Sequence, residues 1–107
     1  MTINYPYEDQ HGKSMEETVP QFIPAVAEIV FPATCWLIHV TLTNVSAGAV
    51  TVTISDQQIP AMPVIYQASI AANETLTIPL WERYCPGGIT WVASAAASIV
   101  GYAKAKK

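Results

Sequence analysis

The sequence has few charged residues. Only 12% of its 107 residues are Asp, Glu, Lys or Arg, against about 25% in an average soluble domain. Between Thr18 and Gly101 the charged residues are Glu28, Asp56, Glu74, Glu82 and Arg83. An isolated domain normally carries mixed charge over its surface. Two interpretations stay open: other subunits cover much of the surface, or the surface is a neutral sheet rich in threonine.

Basic residues are especially scarce before the C-terminus. Lys13 and Arg83 precede a final group of Lys104, Lys106 and Lys107, and the formal net charge is −3. Because no basic stripe with interleaved aromatic residues is present, nucleic-acid binding is not expected. The terminal lysines are expected to form a solvated tail. In a homo-oligomer they would instead face the acidic N-terminal segment of a neighbour.

Long apolar runs are also missing. Residues 1–21 are polar and contain proline, so no secretory signal is predicted. No run approaches the roughly 20 apolar residues of a membrane span. We therefore expect synthesis in the cytosol, no membrane partner, and a soluble product that stays there or leaves by a route such as cell lysis.

Cysteine occurs twice, at Cys35 and Cys85. The separation is similar to that of an immunoglobulin bridge, but Trp36 directly follows the first cysteine, whereas the immunoglobulin tryptophan lies on a later strand. In a cytosolic product, two buried free thiols are the favoured interpretation. Pairing of the two cysteines stays open at this point.

No catalytic or metal-binding pattern is present. His11 and His39 have no His, Cys or carboxylate at metal-ligand spacing. Cys35 and His39 are four residues apart on one predicted strand, which separates them by about 13 Å at roughly 3.3 Å per residue. That distance is too long for the hydrogen bond between a nucleophile and its base. We expect no enzyme activity, no metal and no cofactor.

The clearest pattern that is present runs from Cys35 to Asp56. In its first half, one face is predicted to carry Trp36, Ile38, Val40 and Leu42, and the other Leu37, His39, Thr41 and Thr43. In its second half, Val50 to Ser55 alternates valine or isoleucine with threonine or serine. This alternation is typical of half-buried strands. Turn-forming residues at 44–48 join the halves, so the pattern predicts a β-hairpin with its apolar face in the core.

Further short strands follow the same logic. They are predicted at 25–31, 64–70, 75–80, 89–93 and 99–103, with a loop at 57–63 and turns at 71–74 and 85–88. A short helix competes with the strand at 25–31, and a helix or a flexible loop competes at 93–97. The whole predicts an all-β protein, an antiparallel β-sandwich of jelly-roll or immunoglobulin-like topology with six to eight short strands. Residues 1–21 are predicted to be an extended N-terminal arm, and residues 22–107 a single domain.

Aromatic residues offer an alternative function. Small β-sandwiches often bind sugars through exposed aromatics and amides, and Trp81, Tyr84 and Trp91, with Gln57 and Gln58, would furnish such a site. The favoured interpretation places Trp91 in the core and Trp81 beneath the turn that follows Cys85. Candidate ligand or interface residues are Trp81, Tyr84, Tyr5, Tyr7 and His39. His39 is expected to lie at the surface or in an interface, on the threonine-bearing face.

The order of strands and turns resembles that of small phage and prophage structural proteins. The similarity covers about residues 34 to 103 and rests on Leu-Thr-Asn-Val-Ser-Ala (42–47), Ser-Ile-Ala-Ala-Asn-Glu-Thr (69–75), Pro-Gly-Gly-Ile-Thr-Trp-Val-Ala-Ser (86–94) and Val-Gly-Tyr (100–102). The resemblance implies a virion component, in head decoration, the head–tail junction or the tail. It implies partners among virion proteins but assigns no functional residues. Together with the charge-poor middle and the polar arm, it leads us to expect a homo-oligomer, with a trimer favoured.

Overall fold

A computed structural model describes residues 7–8, 14–57 and 63–107 of the protein. The described residues form ten strands in two antiparallel sheets, and no helix occurs among them. The predicted all-β sandwich is confirmed, with ten strands where six to eight were expected. A strand rather than a helix lies within residues 25–31, but it covers only Glu28–Phe31, because residues 25 and 26 form a bend. The part of the chain that the structure describes holds no helix long and apolar enough to cross a membrane.

The strands have the following bounds: β1 Tyr7–Glu8, β2 Ser14–Glu17, β3 Gln21–Phe22, β4 Glu28–Phe31, β5 Cys35–Asn44, β6 Val50–Asp56, β7 Val64–Ile70, β8 Thr75–Cys85, β9 Ile89–Ala93 and β10 Ile99–Lys106. The strands expected from 64 to 70 and from 89 to 93 have these bounds in the structure. The loop expected at 57–63 lies mostly outside the described residues.

The strand order defines the topology. The larger sheet has the order β1-β2-β10-β5-β8, with β3 also paired to β10, and the smaller sheet has the order β4-β9-β6-β7. From β3 to β10, successive strands lie in opposite sheets, except for the β6–β7 pair. This wrapping is that of a jelly roll, a two-sheet architecture found in viral capsid and lectin domains.

The predicted hairpin between β5 and β6 is wrong. β5 pairs with β8 and β10, whereas β6 pairs with β7 and β9, so the chain crosses between sheets at residues 44–48. Asn44 holds this crossing from a fully buried position. Its Nδ2 donates to the backbone carbonyls of Gly48 and Ile70, both at 2.8 Å. Residues 44–48 do form the predicted turn, but the turn leads into the opposite sheet and does not close a hairpin.

A β-bulge in β5 changes which face carries Trp36. Lys104 and Ala105 are adjacent in β10 but pair with His39 and Leu37, which leaves Ile38 as an extra residue of β5. Because one added residue reverses the alternation, Leu37 is fully buried and Trp36 is 38% exposed. The sequence-based assignment of Trp36 to the core face is therefore wrong. His39 does lie on the threonine-bearing outer face, as predicted.

The core lies between the two sheets around Trp91, which is 1% exposed. Trp91 Nε1 donates to Glu28 Oε1 at 3.0 Å, so the one polar atom of the indole is satisfied. Gly101 faces the same ring: a Cβ there would lie 3.0 Å from Trp91 Cη2 and 2.7 Å from Ile23 Cδ1. The strand β10 therefore approaches the ring closely. The predicted core position of Trp91 is confirmed.

Two predicted turns are confirmed by their hydrogen bonds. At 71–74 the Glu74 backbone N–H donates to the Ala71 carbonyl at 3.1 Å, and at 85–88 the Gly88 N–H donates to the Cys85 carbonyl at 3.2 Å. Gly88 has a φ of 85°, in the left-handed region that favours glycine. Residues 94–97 form bends and turns rather than a helix.

The C-terminal lysines are not the solvated tail that we expected. β10 continues through Lys106, three residues beyond the predicted end of the strand. Lys106 forms an ion pair with Glu82, and Lys107 Nζ lies 3.5 Å from Glu16 Oε1. Glu16 belongs to β2, which pairs with β10, so acidic and basic ends of one chain meet within one sheet.

Candidate functional site

An exposed aromatic group lies at one end of the larger sheet. Trp36 on β5 faces Tyr84 on β8 across the ladder. Their ring centroids are 5.4 Å apart and tilted by 40°, a separation at which aromatic pairs attract each other. Tyr84 is 55% exposed. We call this pair, together with Trp81, which precedes Tyr84 by three residues on β8, the aromatic patch.

A wide bulge in β8 exposes the third member of the patch. His39 pairs with Pro79 and Leu37 pairs with Arg83, so one residue of β5 opposes three residues of β8. Trp81 and Glu82 are the centre of this bulge, with φ values of 53° and 58°. Non-glycine residues in this left-handed region carry backbone strain of about 1 kcal/mol or more each.

The bulge places Trp81 in solvent, where 85% of it is exposed. The prediction that Trp81 packs beneath the turn after Cys85 is therefore wrong. Burial of the indole does not offset the strain at this position, because most of the ring is in water. Strained residues are concentrated at functional sites, so the geometry marks Trp81 as a candidate contact residue.

Charged groups border the patch. Trp36, Glu82, Lys106 and Lys107 line a shallow cleft of about 110 Å³. The cleft combines an aromatic surface with carboxylate and ammonium groups. Such a combination provides stacking for an apolar ring face and hydrogen bonds for hydroxyl groups. Trp36 was missed as a site residue from the sequence because the bulge at Ile38 was not recognised.

The structure does not bring the remaining predicted residues into one site. Tyr5 and the side chain of Tyr7 lie outside the described residues, as does Gln58. Trp91 is in the core, so it is removed from the predicted sugar-binding set. Gln57 is partly buried next to the turn at Gly88, whose carbonyl accepts from the Gln57 backbone N–H at 3.0 Å.

His39 lies on the outer face of the larger sheet, beside Tyr102. The two ring centroids are 5.6 Å apart. Burial lowers the pKa of His39 below its ordinary value, nearby Lys104 lowers it further, and Glu17 acts in the opposite direction. The neutral imidazole is thus favoured in the folded protein. Among the described residues, no group of three or more His, Cys, Asp or Glu is arranged to hold a metal ion.

The outer side of the smaller sheet carries no charged side chain among its described residues. Glu28 and Asp56 are the charged residues on its strands. Glu28 bonds to the core residue Trp91, and Asp56 is 6% exposed and accepts a bond from the Gly87 N–H. The outward residues that are at least partly exposed include Ile29, Thr51, Thr53, Ser55, Val64, Gln67, Ser69 and Val92. We call this surface the neutral face.

No family model matches the chain, and no curated protein matches it. Solved structures with partial likeness include the coconut allergen cocosin, at 14% identity and a TM-score of 0.33. That alignment covers 88% of this chain and 21% of cocosin, so the chain spans about a fifth of that protein.

Two other solved structures align over 99% of the chain. One is the carbohydrate-binding module CBM6cm-2 from Cellvibrio mixtus lichenase 5A, in complex with cellotriose, at 14% identity, a TM-score of 0.38 and 87% coverage of the module. The other is from the Gt strain of infectious bursal disease virus, at 11% identity, a TM-score of 0.27 and 28% coverage. TM-scores this low do not identify a relative, so none of these proteins informs the function.

Proposed function

We propose that the protein is a non-enzymatic structural component of a phage virion, which associates with copies of itself and attaches to the particle. The observation that carries the proposal is the neutral face. A free-standing domain of this size normally carries charge on every side. The centre of a protein–protein interface, by contrast, is depleted of charged residues.

The geometry of the neutral face suits contact with a second flat surface. Thr53 lies near its centre, on β6, opposite Val92 of β9 and Gln67 of β7. Gln67 Nε2 donates to Thr53 Oγ1 at 2.8 Å, so polar groups on the face are already partly paired within the chain. Docking of another copy then requires less desolvation than docking on charged side chains. We propose a homotrimer, with the particle as the site of action.

Light scattering coupled to size-exclusion chromatography tests this proposal. Thr53→Lys places a charge at the centre of the neutral face, and it is expected to convert the oligomer into a monomer. Thr77→Lys is the matched control, because Thr77 is an exposed threonine on β8, in the other sheet. The control is expected to keep the mass of the wild type. A wild-type protein that stays monomeric at high concentration would contradict the proposal.

A second candidate function is carbohydrate binding at the aromatic patch. The observation that favours it is Trp81, an indole 85% exposed and held outward by two strained residues. Aromatic faces stack against the apolar faces of sugar rings, and the neighbouring Glu82 and Lys106 supply hydrogen-bonding groups. Receptor glycans would then be the ligand class.

A glycan array tests the second candidate. Trp81→Ala and Tyr84→Ala are expected to abolish binding to the glycans that the wild type retains. Val26→Ala is the matched control, because Val26 is 72% exposed and is not part of the aromatic patch. Unchanged binding by Trp81→Ala, or an array without hits, would remove this function and leave the structural proposal untouched.

A further inference from the structure

The two cysteines face each other at the end of the larger sheet that carries the aromatic patch. Cys35 begins β5 and Cys85 ends β8, and the antiparallel ladder pairs them directly. Both side chains are fully buried and both thiols are free, as the sequence predicted. Each thiol shifts the pKa of the other. Cys85 Sγ donates to the Arg83 carbonyl at 3.5 Å.

We propose that Cys35 and Cys85 form an oxidation site, at which a hydroperoxide converts the two thiols into an intrachain disulfide. Directly opposed residues in an antiparallel pair have Cα atoms about 4.5–5.5 Å apart. Disulfides join residues whose Cα atoms are about 4.4–6.8 Å apart. The pairing in the ladder therefore already supplies the backbone separation that the bond requires.

The environment differs between the two sulfur atoms. The neighbouring Cys35 thiol lowers the pKa of Cys85 and Arg83 lowers it further, whereas burial and Asp56 raise it. The neighbouring Cys85 thiol and burial raise the pKa of Cys35. Because the thiolate is the reactive form of cysteine, we assign Cys85 as the residue that reacts first and Cys35 as the residue that resolves the intermediate.

The reaction balances with hydrogen peroxide as the oxidant. The Cys85 thiolate attacks one peroxide oxygen and the O–O bond breaks, which gives a sulfenic acid; the departing hydroxide takes up the proton released by Cys85 and becomes water. The Cys35 sulfur then attacks the sulfenic sulfur. The S–O bond breaks, and the departing hydroxide takes the Cys35 proton as a second water. Two thiols lose two electrons, and one peroxide is reduced to two waters.

The disulfide bond would join the two strands that carry the aromatic patch. Trp36 directly follows Cys35, and Tyr84 directly precedes Cys85. A covalent link one residue away fixes the separation of β5 and β8 at this aromatic pair. It also closes a long segment of chain, which stabilises a fold chiefly by restricting the unfolded state. Since disulfides persist outside the reducing cytosol, the site would strengthen the protein after release from a cell. This inference does not depend on the proposed assembly.

The test uses the wild-type full chain under native conditions, treated with hydrogen peroxide and quenched in acid. Intact mass is expected to fall by two hydrogen atoms, and both thiols are expected to become unreactive in denaturant. A non-reducing gel is expected to show no covalent dimer. The melting temperature is expected to rise by on the order of 10 °C or more, and dithiothreitol is expected to reverse every change.

Cys35→Ser and Cys85→Ser serve as controls, because neither can form the bond and neither is expected to gain stability on oxidation. Three outcomes would overturn the proposal: two thiols still reactive in the peroxide-treated wild type, disulfides between chains, or added oxygen on one cysteine without loss of the other thiol. These outcomes are scored on the wild type, so a variant that fails to fold does not obscure them.

Discussion

Asn44 provides the most quantitative test of the fold, because its amide holds the crossing from one sheet to the other. Its Nδ2 donates to the carbonyls of Gly48 and Ile70, both at 2.8 Å. Its Oδ1 accepts from Ser46 N at 2.8 Å and from Ser46 Oγ at 2.7 Å. Asn44→Ala removes all four hydrogen bonds and leaves a cavity where the amide was.

The expected loss in the free energy of unfolding follows from these four hydrogen bonds. Each contributes about 0.5–1.5 kcal/mol net, and the bond to Ile70 is buried, so the free energy of unfolding should fall by about 3 kcal/mol. At about 4–8 °C per kcal/mol, the melting temperature should fall by roughly 10–25 °C. Asn44→Asp should be at least as destabilising, because a carboxylate oxygen replaces Nδ2 and faces two carbonyl oxygens.

Urea denaturation followed by tryptophan fluorescence measures this change. Ser46→Ala is the control, because it removes the hydroxyl bonds to Asn44 and Gly48 but keeps both Nδ2 bonds. Because the hydroxyl has one proton to share between the two acceptors, the control should lose about 0.5–1.5 kcal/mol. An Asn44→Ala variant within about 1 kcal/mol of the wild type would refute the assignment of the crossing to this amide.

Three further predictions concern single positions. Gly88→Ala should be destabilised by at least about 3 kcal/mol in urea denaturation or fail to fold. The backbone there is left-handed, and a Cβ would lie 1.9 Å from the Phe31 carbonyl oxygen. Wild-type stability of this variant would contradict the prediction. Gly101→Ala should lower the free energy of unfolding by about 1–3 kcal/mol. Adding Ile23→Val should recover part of that loss, since the new Cβ meets the Ile23 side chain. An additive loss in the double variant would count against the contact. His39 has a lowered pKa in the folded protein. Its contribution to stability is therefore present above the unfolded pKa of about 6.5 and is lost as pH falls through the folded pKa. His39→Gln should flatten the fall in melting temperature between pH 7 and pH 5, and an unchanged profile would refute this.

Alternation of side chains was sufficient to locate most strands, but it did not identify their partners. From Val50 to Ile54 the apolar residues are buried and the threonines are half-exposed, as the period of two requires. The turn at 44–48, however, has the same composition whether it closes a hairpin or leads into the opposite sheet. Contacts with residues far along the chain distinguish the two outcomes: β5 pairs with β8 and β10, and Asn44 donates to Ile70, 26 residues later.

The bulges in β5 and β8 that expose Trp36 and Trp81 occur where large apolar residues are consecutive in the sequence. Trp36, Leu37 and Ile38 are adjacent, as are Leu80 and Trp81. A strand cannot place two neighbours on one face without an added residue, so such runs are a signal that a bulge is present. The signal does not say which residue faces the solvent. For this reason the core position of Trp91 was predictable from its regular strand, whereas the exposure of Trp36 and Trp81 was not.

Charge scarcity was visible in the sequence, but its location was not. The sequence shows few charged residues between Thr18 and Gly101, without saying on which surface they are missing. In the structure, the outer side of the smaller sheet is the surface that lacks charged side chains, because Glu28 and Asp56 both point away from it. The proposed self-association therefore depends on topology as well as composition.

Sedimentation equilibrium of the wild-type protein tests that self-association most directly. The proposal predicts a mass of two or more 11.6 kDa chains, with three copies favoured, once the concentration is high enough for association to be complete. A mass of one chain throughout the accessible concentration range would contradict it.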